Sequence, residues 1–129
     1  MVDATKDTLS SYAYDLSFSD LDGKTIHQVK RTLLDSIGCL LGGFNSKTAI
    51  IARKIAPKAT ESPVSRVIGT ANNTTIDVAA FANAVAIRYL DFNDSYFSPG
   101  GGHPSDMVSA SLAAGEYQES TGKEIITSI

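Results

Sequence analysis

The sequence predicts an all-α fold, a bundle-like array of helices with one short extended segment, forming an incomplete part of a larger helical domain. Three observations lead there. Apolar residues recur at three- and four-residue spacing along most of the chain. Capping and stopping residues fall at the ends of those runs, and the last apolar run is cut at Ile129 in mid-element.

Residues 5–17 place Leu9, Tyr12, Ala13 and Leu16 at helical spacing ahead of a Ser-Phe-Ser-Asp break, which predicts a short first helix. From Lys24 to Leu41 the apolar residues Ile26, Val29, Leu33, Ile37, Leu40 and Leu41 repeat every three or four positions. Asp22 is the candidate cap of this second helix and Gly42-Gly43 its stop. A third helix starts at Asn45 or Ser46 and runs through Ile50, Ile51 and Ile55 until Pro57 disrupts it.

Pro63 to Thr70 reads differently. Val64, Arg66 and Ile68 share one face and Val67 the other, predicting a short extended segment that ends at Gly69. Thr75 then caps a helix from Ile76 to about Leu90 whose many alanines let neighbouring helices approach closely. Pro99, Gly100 to Gly102 and Pro104 make a loop. Beyond it Ser105 to about Glu119 is predicted helical, with Val108, Leu112 and Ala113 inward. Thr121 and Glu124 have the spacing of a capping box that opens a last helix. A helical domain cut short there should leave exposed an apolar face that its missing part would cover.

Composition narrows the function classes. A chain of 129 residues suits one domain. Its charge of −3, with acids and bases scattered, offers no basic stripe for nucleic acid and no polybasic membrane anchor. Cys39 is the sole cysteine, so neither an internal disulfide nor a thiolate set for zinc or an iron-sulfur cluster is available, and it reads as a small buried hydrophobe. The N-terminus has neither the apolar core of a secretory signal nor an arginine-rich transit pattern, which makes the cytoplasm the expected compartment.

Chemistry concentrates between Asp91 and Asp106. Asp91 and Asp94 lie three apart where a helix ends, and carboxylates oppose the dipole at that end. They serve either to brace the loop or to act in a site. His103 follows three glycines and precedes a predicted helix start, where backbone N–H groups attract anions and favour the neutral, proton-accepting imidazole. A loop-packing role is the alternative. Ser105 and Asp106 are ordinary helix-start residues, with binding of a substrate carboxylate or hydroxyl as a second role. His27, beside Lys24 and Lys30 on a polar face, reads as surface. Two histidines 76 positions apart, without an HExxH pattern, give no metal signature, and the triglycine lacks the Lys-Ser/Thr of a phosphate loop.

LLDSIGCLLGG at 33–43, RVIGT at 66–70, AAFANAVAIRYLDFNDSY at 79–96 and GHPSD at 102–106 together resemble the MmgE/PrpD family, whose members include 2-methylcitrate dehydratases and cis-aconitate decarboxylases. The resemblance covers nearly the whole chain in order. It implies a large helical domain and a smaller α+β lid with the active site between them, in a homodimer that uses no metal and no other cofactor. Residues 1–129 would be the N-terminal portion of that helical domain, with the lid, the remaining helices, a second histidine and a lysine lying after Ile129. Asp91, Ser95 and His103 fall on active-site positions, Ser95 replacing the threonine common in relatives.

The activity implied is dehydration of 2-methylcitrate or a similar hydroxy-tricarboxylate, with His103 transferring a proton or holding a carboxylate and Asp91 orienting it. Ser95, Asp94 and Ser105 are the expected substrate-binding residues. DFND and GHPSD look closer to the dehydratase branch than to the decarboxylases. Decarboxylation of cis-aconitate or epimerisation of a related dicarboxylate is the alternative chemistry. A non-catalytic helical folding or dimerisation module is the alternative outside enzymology.

Overall fold

The computed structural model describes residues 3–59 and 61–129. Six helices dominate: α1 (Ala4–Asp15), α2 (Gly23–Gly43), α3 (Lys47–Ile55), α4 (Ile76–Arg88), α5 (Val108–Tyr117) and α6 (Gly122–Ser128). Two strands of two residues each, β1 (Ser65–Arg66) and β2 (Asn73–Thr74), pair antiparallel with Ser65 opposite Thr74. The all-α expectation holds, and the extended segment it foresaw is one arm of this small hairpin. No helix among the described residues is long and apolar enough to cross a membrane.

Several helix starts follow directly from side chains that satisfy the unpaired N–H groups of a first turn. Asp22 accepts from the Thr25 amide at 2.7 Å and begins α2; Ser46 accepts from Ala49 at 3.2 Å and begins α3. Thr121 and Glu124 form the reciprocal capping box of α6, with Thr121 N–H donating to Glu124 at 2.6 Å. Thr75 occupies the position before α4, but its side chain makes no capping bond; its carbonyl accepts from the Ala79 amide instead.

The core is built of small side chains. Leu40, Ala49, Ala86 and Ile87 form one buried cluster; Ala52, Ala56, Val67 and Ala82 form another. α4 lies at the centre, packed against α2, α3 and α5. α2 ends on the Gly42-Gly43 pair expected to stop it, and Gly43 marks its crossing with α4. A Cβ there would run into the Ala86 carbonyl oxygen and lie 3.1 Å from Tyr89 Cβ.

Which face of a helix turns inward is left open by periodicity alone, and the structure settles it in favour of small side chains. α3 buries Ala49 and Ala52, while Ile51 and Ile55 are exposed. α2 buries Thr32, Ser36, Cys39 and Leu40 and leaves Leu41 exposed. α1 buries nothing, with Leu9 and Tyr12 on the surface. Exposed Leu34, Phe81, Phe92 and Phe97 add to an extensive apolar surface.

α4 ends at Arg88 rather than Leu90, and the helix expected from Ser105 opens as a 3-10 turn, Pro104–Met107, that leads into α5 at Val108. The alternation expected for the extended segment is present, with Val67 on the opposite face from Arg66. Ser65 and Val67 point inward, with Arg66 exposed between them. The Ser65 hydroxyl donates to the Ala113 carbonyl at 2.6 Å, which fastens the hairpin to α5.

Candidate active site

Between α4 and α5, residues 89–103 form a loop whose ends are drawn together by hydrogen bonds. Tyr96 and Gly102 exchange backbone bonds of 2.8 and 3.0 Å, closing the triglycine tip back on the strand-like approach to it. The Gly101 amide donates to Ser98 O at 3.0 Å. A Cβ on Gly101 would lie only 2.7 Å from the Tyr96 carbonyl oxygen, so the tip needs glycine there.

His103 is half-buried, and its Nδ1 lies 2.6 Å from the backbone carbonyl oxygen of Asp94. A carbonyl can only accept, so the bond assigns the ring proton to Nδ1. The neutral ring then carries its lone pair on Nε2, the form needed to take a proton. Asp94 also accepts the Ser105 amide through Oδ1 at 3.0 Å, so one residue holds His103 by its backbone and the following turn by its side chain. Asp91 was expected to orient His103. The structure gives that place to the Asp94 carbonyl.

Asp91 instead pairs with Arg88, Nη2 to Oδ1 at 2.9 Å, and its backbone adopts a left-handed φ of 48°. Aspartate is among the few non-glycine residues that tolerate this conformation, which turns the chain out of α4. Ser95 is exposed at the loop surface, open to a ligand. Ser105 is fully buried and its Oγ accepts from Asn93 Nδ2; Asp106 reaches Arg88 Nε at 3.3 Å. Neither residue caps a helix by its side chain, because His103 holds the position before the turn. His27 is exposed, as expected.

Two participants escaped the sequence reading. Arg88 closes the last turn of α4, a favourable end for a cation, and donates through Nη1 to the buried Asn93. Their spacing of five residues, helix to loop, belongs to no regular period. Arg31 on α2 is the other. It lines an open cleft of about 460 Å³ with Gln28, Thr32, Asp35, Phe92 and Asp94, and forms no ion pair among the described residues.

The Cys39 thiol is pushed up from its ordinary range by burial, with the Asp35 and Asp94 carboxylates adding to the effect, so it stays protonated and unreactive. Among the described residues no group of three or more His, Cys, Asp and Glu side chains gathers as a metal site would require.

A family model, the MmgE/PrpD N-terminal domain, matches residues 7–129. A probable 2-methylcitrate dehydratase from Saccharomyces cerevisiae is 33% identical over 85 residues, covering 65% of this chain and 16% of the relative. Alkylcitrate dehydratase phiI of a fungal species is 30% identical over 129 residues, covering 90% of this chain and 25% of the relative. The 2-methylcitrate dehydratase of Salmonella typhi is 34% identical over 86 residues, 66% of this chain and 18% of the relative. The chain thus spans a quarter or less of the length of these relatives.

Proposed function

Given that the chain belongs to the MmgE/PrpD family, we propose that the complete protein is a carbon-oxygen lyase that removes water from 2-methylcitrate or a similar hydroxy-tricarboxylate. The observation that carries the reading is the His103 to Asp94 hydrogen bond, which occupies Nδ1 and leaves Nε2 as the ring nitrogen available to take a proton. Dehydration needs a proton taken from a carbon beside a carboxylate. The electron pair left behind forms the new double bond as the C–O bond breaks, and the departing hydroxide is protonated to water.

In this scheme His103 takes the proton and Ser95 binds a substrate oxygen from the exposed loop. Arg31 supplies positive charge to a substrate carboxylate at the cleft beside Asp94. Asp91, Asp94 and Ser105 hold the loop through the bonds described above, so bracing and site formation are one task. The chain contributes one wall of the site; the remaining helices, a lid, a second histidine and a lysine come from elsewhere in a cytoplasmic homodimer. The extensive apolar surface supports further protein packing against this unit.

Citrate, 2-methylcitrate and cis-aconitate, supplied separately to the complete protein, distinguish the chemistries. The expected result is release of water from 2-methylcitrate at the highest kcat/KM. Predominant release of carbon dioxide from cis-aconitate would overturn the dehydratase assignment, and turnover of none of the three would overturn the reading as a lyase for such acids.

A further inference from the structure

We infer that Arg88 is a positioning residue for His103, acting through Asn93 and Ser105 without touching substrate; the inference rests on the proposed role of His103 as base. One guanidinium addresses three oxygens on three parts of the loop. Nη2 meets Asp91 Oδ1 at 2.9 Å, Nε meets Asp106 Oδ1 at 3.3 Å, and Nη1 donates to Asn93 Oδ1. Asp91 is the residue where the chain turns out of α4, and Asp106 lies in the turn after His103. Arg88 therefore ties the start of the loop to its end.

Asn93 carries the connection inward. Fixed by Arg88 through its carbonyl oxygen, its amide nitrogen must point the other way, where it donates to the fully buried Ser105 hydroxyl. The Ser105 amide in turn donates to Asp94 Oδ1 at 3.0 Å, and the Asp94 carbonyl oxygen accepts from His103 Nδ1 at 2.6 Å. Each link is directional, and both Asn93 and Ser105 are buried. The planar fork of arginine suits this task, because it presents several donors at fixed angles. A lysine at the same place would keep the charge and lose the simultaneous bonds.

The consequence for chemistry is the choice of ring nitrogen. While the Asp94 carbonyl stays in place, Nδ1 keeps the proton and Nε2 is basic. When the connection is cut, the carbonyl is no longer held opposite the ring, and the preference between the two nitrogens relaxes. A base displaced by about an ångström loses on the order of a hundredfold in rate.

The test uses the complete protein labelled with ¹⁵N-histidine, where the ring signals lost in His103→Asn identify His103. In the substrate-free wild type, at a pH where the ring is neutral, the signals should report a protonated Nδ1 and an unprotonated Nε2. Arg88→Met should shift them toward the mixed tautomers of a free imidazole and lower kcat about a hundredfold. KM should change by less than about threefold. Asn93→Asp keeps an acceptor for Arg88 but removes the donor to Ser105, and should act in the same direction; Arg88→Lys should fail to restore the wild-type pattern. Unchanged ring signals and kcat in folded Arg88→Met and Asn93→Asp would overturn the inference. So would full recovery by Arg88→Lys, which would make charge alone sufficient, or global unfolding of both Arg88→Met and Asn93→Asp by circular dichroism. The ring signals need no substrate, so a tautomer shift in a protein inactive on 2-methylcitrate would support Arg88 as a positioning residue while sinking the dehydratase reading.

Discussion

Single carboxylates do two different jobs here, and burial does not separate them. Asp22 accepts the Thr25 amide, and that backbone bond, followed by the Thr25 side chain, holds its carboxyl below the ordinary aspartate range. Asp91 accepts from an arginine on a turn that needs a left-handed backbone. The sign of the Asp22 effect fixes a pH dependence. A carboxyl whose folded value is lowered contributes stability above its unfolded value, near 3.8, and loses that contribution as pH falls through the folded value. Asn is also a good cap but carries no charge. Asp22→Asn should therefore be slightly less stable than wild type to urea at pH 7, with the gap closing as the pH falls below 3.8 and through the lowered folded value; the check compares pH 7 with the acid end of that fall. A gap of the same size at both pH values would contradict the charged cap.

The residues legible in the sequence were those whose role is local. Asp22, Ser46 and the Thr121 to Glu124 pair announce helix starts within four positions, and the structure shows each bond. Arg88 and Asn93 were not legible, because their partners are loop residues reached only after the chain folds back from Asp91 to Asp106. His103 was noticed for its place after three glycines, yet its partner could not be foreseen. A backbone carbonyl leaves no mark on the residue type at position 94.

Among the elements, small residues decide where helices meet. α2 and α4 approach so closely at Gly43 that a methyl group would strike the Ala86 carbonyl oxygen, whereas a Cβ at Gly38 on the same helix meets nothing within 4 Å. These two glycines should respond oppositely to the same change. Gly43→Ala should cost about 1–3 kcal/mol through forced separation of the helices. Gly38→Ala, at an exposed mid-helix site, should add about 0.5–1 kcal/mol through helix propensity. Thermal melts of the two variants provide the check, and a destabilised Gly38→Ala together with an unaffected Gly43→Ala would refute the described crossing.

The same use of small residues explains what periodicity left open. In α3 the isoleucines and the alanines are interleaved, so an apolar repeat was visible while the inward face was not. Alanine wins that face because α4 passes too near for a larger side chain. The β2 strand escaped notice for another reason: two residues paired with partners seven and nine positions away show no repeat. The 3-10 turn ahead of α5 lies inside the range predicted as helix, since Pro104 suits the first turn of either helical form.

At the scale of the molecule, the helices frame the loop proposed as the site. α4 runs through the centre of the core and ends at Arg88, α5 begins just beyond His103, and the loop between them is closed by bonds to both ends. The buried clusters of alanine with Leu40, Ile87 and Val67 seat α4 against α2, α3 and the hairpin, and α5 packs on α4 in turn, which sets the span the loop must cover. The helical class was therefore open to sequence reasoning, and so was the position of the loop proposed as the site. The internal wiring of the site depended on which backbone and side-chain groups the packing brought together.

His103, held by the Asp94 carbonyl, is proposed as the base of a hydroxy-tricarboxylate dehydratase. The most direct measurement is kcat/KM for 2-methylcitrate in the complete protein carrying His103→Ala, with circular dichroism to verify the fold. The account predicts a loss of about a hundred- to ten-thousandfold in a normally folded variant. Turnover close to that of wild type would contradict it.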